Sequence, residues 1–314
     1  MPEKLSFVIP CYHSEHTIAD VLKEIEGWLK SNPNYAYEVI AVNDCSPDHV
    51  GDTLAALAAS RPWLKVIELA VNGGKHAAMM AGYRYATGDV IVNLDDDGQC
   101  PIDQLSLLLN ELKTGADIAL ARYPKKKQSV FKNMGSKINE WMARILIKQP
   151  KNLQISNLSV LRRVMVKEIL RYQNPYPYLN GLFLRSTSHI VNVDMEERER
   201  SAGVGHYTFR KSLSLWLNGF TAFSVKPLRI STLLGAGCAL AGFIFGLYTI
   251  VHKLLNPAMP AGYSSTMAVL LFVGGMIMLM LGLIGEYVGR IYISINNSPQ
   301  YVIRETINCG EENE

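Results

Sequence analysis

This chain has little surplus charge and no ordered cysteine pattern. Its 314 residues carry a formal net charge of +3, so no global field points to nucleic acid. Cys11, Cys45, Cys100, Cys238 and Cys309 are dispersed, with neither CxxC nor Cys/His zinc spacing. An odd, scattered set argues for reduced thiols in a cytosolic environment rather than a disulfide framework. The phosphate-binding signatures GxxxxGK[ST] and GxGxxG are both missing, which excludes a P-loop and a simple dinucleotide turn. Met1-Pro2-Glu3-Lys4 leads directly into a strand-like segment, so no signal peptide is expected. Hydrophobic residues make up 48% of the chain, and most of the excess lies after residue 230.

Three carboxylates, Asp95-Asp96-Asp97, directly follow the apolar run Val90-Ile91-Val92-Asn93-Leu94. Adjacent like charges destabilise one another, so a fold tolerates them best around a cation or polar ligand. In extended chain Asp95 and Asp97 would point together and Asp96 away. A hard cation such as Mg2+ takes one or two carboxylates plus substrate phosphate oxygens. The competing reading is a helix start at Pro101, where acids also gather.

Residues 1 to about 121 alternate short apolar runs with amphipathic stretches. The strands expected are Leu5–Ile9, Glu38–Val42, Val66–Leu69, Val90–Leu94 and Ile118–Leu120. Helices are expected through Thr17–Lys30, Thr53–Ala59, Ala77–Ala86 and Leu105–Leu112. This spacing predicts an α/β, mostly parallel, doubly wound sheet with its ligand across the carboxyl ends of the strands. Three further strand ends meet there: Pro10-Cys11-Tyr12, Asn43-Asp44-Cys45-Ser46-Pro47-Asp48 and Asn72-Gly73-Gly74-Lys75. Asp44 can accept hydrogen bonds from a base or ribose, and Asp48 reads equally as a helix cap. Gly74 allows close backbone approach and Lys75 can meet a phosphate. Together these residues suggest a nucleotide diphosphate held by a metal.

A basic stretch, Arg122 to Lys127, precedes an expected amphipathic helix, Met134 to Ile147. Ile230–Val251 and Thr266–Val288 are then long enough, and apolar enough, to span a bilayer. Gly242-x-x-x-Gly246 and Gly285-x-x-x-Gly289 offer small faces for close helix packing, which leaves a homo-oligomer open. Phe209, Leu213, Trp216, Leu217 and Phe220 recur at helical spacing just before the first run, as in an interfacial helix. Lys211, Lys226, Arg229, Arg290 and Arg304 flank the outer ends of the hairpin, whereas its loop has only Lys253. The positive-inside rule then puts both termini in the cytoplasm. The expected organisation is a catalytic domain over 1–206, an amphipathic linker over 207–229, a hairpin over 230–288 and a cytoplasmic tail over 289–314. The expected location is the inner (plasma) membrane.

Read in order, VIPCYH, VNDCSPD, NGGKHAAMMAG, LDDDGQCP, RSAGVGHY, SLWLNGFTAFSVKPLR and GEYVGRIY resemble the family 2 glycosyltransferases of GT-A fold. The resemblance covers nearly the whole chain. It is to the branch that moves a sugar from a nucleotide diphosphate sugar to a polyprenyl phosphate. It implies an inverting, metal-dependent transferase using Mg2+ or Mn2+, with a UDP-sugar favoured as donor. Pro10, Tyr12 and Asp44 would border the base and ribose, and Gly74, Lys75, Asp95 and Asp96 complete the donor set. Asp95 and Asp97 match the DxD element, with Asp97 on the metal. Gln99 matches the polar residue after that element, and Arg200 an arginine near the phosphates. Arg122, Lys125, Lys126, Lys127 and Lys132 are candidates for the lipid phosphate, though a basic run can also be a surface anchor.

The sequence departs from that branch at Ile155 to Arg162, where a DFRL-like segment is replaced, and at Glu197 and Gly205. These changes leave the general base unassigned. Transfer to another membrane lipid, such as diacylglycerol, is a second reading. A catalytically silent membrane scaffold is a third.

Overall fold

The computed structural model describes residues 3–123, 149–150, 152–196, 226–256, 262–296 and 299–310. Two compact units form: Met1–His206 with Asn297–Glu314, and Tyr207–Asn296.

The first unit is built on an eight-stranded sheet ordered β7-β5-β6-β4-β1-β2-β3-β8. Its strands are β1 (Lys4–Cys11), β2 (Ala36–Asn43), β3 (Leu64–Leu69), β4 (Val90–Asn93), β5 (Ile118–Arg122), β6 (Ser159–Arg162), β7 (Ile190–Asp194) and β8 (Ile303–Ile307). β1 is buried from Leu5 to Cys11, because helices cover both faces of a central parallel strand and it must read as a continuous apolar run. β1 pairs in parallel with β2 and β4, and β2 with β3. Four carboxyl ends therefore share one edge of the sheet.

One face of the sheet packs on α1 (Ile18–Ser31), α2 (Val50–Ala59) and α4 (Leu105–Lys113), with Ile25, Leu54 and Leu108 in its core. The other packs on α3 (Lys75–Tyr85), α5 (Arg163–Leu170) and α6 (Leu179–Ser186). Helix α3 lies deepest, buried nearly all round. Gly82 allows that depth: a methyl there would lie 2.5 Å from Val8 Cγ1.

The sheet is more mixed than strand-helix alternation suggests. β6 runs antiparallel to both β4 and β5, and β8 runs antiparallel to β3. Residues 289–314, expected as a tail, thus include a strand of this unit. Asn308 anchors it by donating from Nδ2 to the carbonyls of Ala58, Arg61 and Leu64 at 3.0, 3.3 and 2.9 Å.

The second unit holds α7 (Lys226–Leu255) and α8 (Tyr263–Ile295). Within them Ser231–His252 and Phe272–Gly289 have mean hydropathy 1.9 and 1.7. At 1.5 Å per residue, Ser231–His252 extends about 33 Å, enough for a bilayer's hydrocarbon core. Leu240, Phe243, Leu270 and Met278 are exposed. The amphipathic stretch 207–225 and the helix expected over Met134–Ile147 lie outside the described residues.

Candidate active site

Strand β4 stops at Asn93, one residue before the level expected, and Asp96 and Asp97 fall in a turn closed by Gly98 at φ +72°. The alternation argument therefore ends before the acids begin. The three carboxylates separate all the same, because Asp95 and Asp96 turn to other elements while Asp97 stays within its own turn. Asp95 Oδ1 holds the Lys75 ammonium, and its Oδ2 accepts from Asn157 Nδ2. Asp96 Oδ2 accepts the backbone N–H of Tyr12 at 3.0 Å. Asp97 Oδ1 accepts the N–H of Gln99 at 3.1 Å. Burial and the neighbouring Asp95 charge push Asp96 up to about 6, against the N–H of Tyr12 and the Ser14 hydroxyl.

The floor of this cluster is fixed by a buried polar chain. Tyr83 donates to Asn93 Oδ1 at 3.1 Å, and Asn93 Nδ2 donates to Ser159 Oγ at 2.9 Å. α3, β4 and β6 are thereby tied together beneath the acids, with the Tyr83, Asn93 and Ser159 side chains partnering one another.

Beside it, Asp44 follows β2. Its Oδ1 accepts from Gly73 N–H at 2.8 Å, and its carbonyl from Asn72 Nδ2 at 3.0 Å. Burial raises the Asp44 carboxyl, opposed by the N–H groups of Gly73 and Gly74. Gly74 sits at φ +81°, which lets the loop turn directly into α3 with Lys75 at its first position. Asp48 is a loop organiser. Burial opposes its charge, but the Ser46 hydroxyl and the N–H groups of Glu15 and Val50 outweigh it and lower its pKa. Pro10 lies in β1, and Tyr12 is 47% exposed just past it.

The structure therefore brings Pro10, Tyr12, Asp44, Gly74, Lys75, Asp95, Asp96, Asp97 and Gln99 to one edge of the sheet. Arg122 ends β5 and pairs bidentately with Asp194 at the end of β7. Arg200, Lys125 and Lys132 lie outside the described residues. Asn157 was not singled out from the sequence, although it belongs to the segment where the sequence departs from the expected pattern.

The donor set suits a divalent cation. Asp95 and Asp97 supply hard oxygen ligands of the kind Mg2+ or Mn2+ shares with a substrate diphosphate. Asp95 already holds a cation in the Lys75 ammonium. Among the described residues, no three His, Cys, Asp or Glu side chains are grouped to hold a metal, so waters or substrate oxygens would fill the remaining positions.

Residues 6–172 match the model of Glycosyl transferase family 2, more than half of the chain. The chain belongs to that family. Residues 226–291 of this family 2 glycosyltransferase match the GtrB C-terminal hairpin, which together with two long apolar helices marks a membrane protein. The chain is 30% identical over 306 residues to the SfII prophage-derived bactoprenol glucosyl transferase of Shigella flexneri, covering 96% of this chain and 98% of that one. It is 31% identical to a prophage bactoprenol glucosyl transferase homolog of Escherichia coli, with the same coverage. It is 30% identical to the undecaprenyl-phosphate 4-deoxy-4-formamido-L-arabinose transferase of Photorhabdus laumondii, over 99% of this chain and 97% of that one. Among solved structures, a mycobacterial protein aligns with a TM-score of 0.50 at 16% identity, over 69% of this chain and 75% of its own; this likeness concerns the fold alone.

Proposed function

We propose that this glycosyltransferase moves a sugar from a nucleotide diphosphate sugar to a polyprenyl phosphate at the cytoplasmic face of the membrane. One observation carries the reading: a family 2 domain and a GtrB-type hairpin occur in one chain, aligned end to end with relatives named for bactoprenol and undecaprenyl phosphate. The excess of flanking Lys and Arg outside the hairpin loop supports cytoplasmic termini.

The donor's base and ribose occupy the Tyr12–Asp44 side of the crevice, and its diphosphate reaches Lys75 and Asp95. Asp95 and Asp97 would hold Mg2+ or Mn2+, which when bound would offset the charge building on the leaving diphosphate. With a donor in the crevice, Lys75 would pair with the diphosphate in place of Asp95, which would leave that carboxylate free to serve as a ligand. A lipid phosphate oxygen attacks the anomeric carbon, the carbon–oxygen bond to the diphosphate breaks, and the configuration inverts. A phosphate monoester is mostly a dianion at neutral pH, since its second pKa is about 6. It needs positioning more than a general base, which suits a site whose base the sequence leaves unassigned. Arg122 would hold that phosphate in place of Asp194.

The test is purified protein in detergent with polyprenyl phosphate, Mn2+ and a panel of radiolabelled nucleotide sugars. Label entering the lipid phase from one donor identifies the sugar. Label remaining aqueous with every donor refutes the transfer.

A further inference from the structure

The segment that follows the second apolar helix touches two loops that lead to the donor crevice, with Gln300 between them. Gln300 Nε2 donates to the carbonyls of Tyr172 and Asn174, at 2.7 and 2.9 Å. Those carbonyls belong to the loop between α5 and α6. On its other side the Gln300 carbonyl faces Gly73, where an added methyl would come to 3.4 Å from it. Two residues on, the Val302 carbonyl accepts from Ala70 N–H at 2.8 Å, just past β3.

Both loops gripped in this way lead to the crevice. Gly73 donates to Asp44. The other loop carries Tyr176 at φ +61°, a left-handed conformation that a bulky residue adopts only when its surroundings hold it. Its last residue, Tyr178, sets its ring edge-on to His76, with centroids 5.3 Å apart at 80°. His76 adjoins Lys75, whose ammonium holds Asp95. A loop that drifted away would release His76, and with it the start of α3.

We propose that Gln300 is a positioning residue for the donor site, holding the Tyr172–Tyr178 loop and the Gly73–Gly74 turn at the spacing that seats Lys75. The proposal rests on the reading that the Asp44–Asp95 crevice takes the donor's nucleoside diphosphate. Both acceptors are carbonyls, so the amide's two N–H groups are required and a carboxylate of equal size cannot replace them.

The experiment uses the full chain in detergent, with UDP or GDP and Mn2+ as probes. Calorimetry reads binding, initial rates read donor KM and kcat, and thermal unfolding reads stability. Gln300→Glu is expected to weaken nucleoside diphosphate binding and raise donor KM about tenfold, the size of one or two lost hydrogen bonds, with kcat within about twofold. Gln300→Asn, which keeps the amide, should recover part of the loss. Asn308→Ala, which cuts the far anchor of the same segment, should lower the unfolding temperature and leave KM unchanged. Binding by Gln300→Glu within about twofold of wild type would overturn the proposal. So would a KM that rises in both variants in proportion to lost stability, since the segment would then be scaffold only. Wild type that binds neither nucleotide would instead overturn the crevice reading beneath it.

Discussion

Glu38→Gln should destabilise the protein by about 3 kcal/mol at pH 7 and leave donor KM unchanged. Glu38 lies near the start of β2, with its side chain 5% exposed. Its carboxylate accepts from Ser6 Oγ and Thr87 N–H, both at 2.6 Å, and pairs with Lys4 at 2.9 Å and Lys65 at 3.0 Å. Burial opposes the charge, yet these partners lower the pKa from 4.5 to about 2. At roughly 1.4 kcal/mol per unit, that shift is worth about 3 kcal/mol. Removing one member of a buried ion pair costs a similar amount, roughly 3–5 kcal/mol. Because the folded pKa is depressed, this stability is present above the unfolded value near 4.5. It is lost as pH falls from there through about 2. Glu38 is six residues from Asp44 along the strand, about 20 Å, so the donor site should not respond. Chemical denaturation in detergent, followed by tryptophan fluorescence from pH 7 to pH 3, gives the difference between wild type and variant. A cost below about 0.5 kcal/mol, or one that does not shrink toward pH 3, would refute the pKa argument. A changed donor KM in a folded variant would refute the placement of the site at the opposite edge.

Asp97→Asn should abolish turnover while the protein folds and inserts, and EDTA should silence the wild type reversibly; activity in excess chelator would show that the cation assignment is wrong. Gly82→Ala should cost about 1–3 kcal/mol, because its methyl would meet Val8 Cγ1 at 2.5 Å; an unchanged unfolding midpoint would mean that α3 can lift from the sheet freely. Asn93→Leu should destabilise by about 1–3 kcal/mol, since it strands the buried Tyr83 hydroxyl and Ser159; thermal unfolding reads this directly, and a neutral result would mean that water replaces the amide.

The first five strands were legible because each is an apolar run bounded by turn residues. β6 was hidden: its four residues, Ser159-Val160-Leu161-Arg162, hold only two apolar side chains, too few for a period. β8 was hidden differently. Ile303-Arg304-Glu305-Thr306-Ile307 has a polar middle, and its pairing with β3 joins residues far apart in the sequence, which no local pattern encodes. A chain ended before Lys226 would therefore lack β8, and β3 would become an exposed edge. The acids were found because charge repulsion made them conspicuous, but their separation depends on Tyr12, Lys75 and Asn157 arriving from three other elements. Asn157 itself carried no local signal beyond standing in an unusual segment. Glu38 read only as the first residue of a strand, since the lysines that pair with it come from β1 and β3.

The account stands most directly on the chemistry of the acceptor. Purified protein should be given Mn2+, the radiolabelled nucleotide sugar that it turns over, and one of three lipids: undecaprenyl phosphate, undecaprenol without its phosphate, or diacylglycerol. Label should enter the lipid phase with undecaprenyl phosphate alone, in a phosphodiester that mild acid releases. Label on undecaprenol or diacylglycerol, stable to mild acid, would contradict transfer to a lipid phosphate.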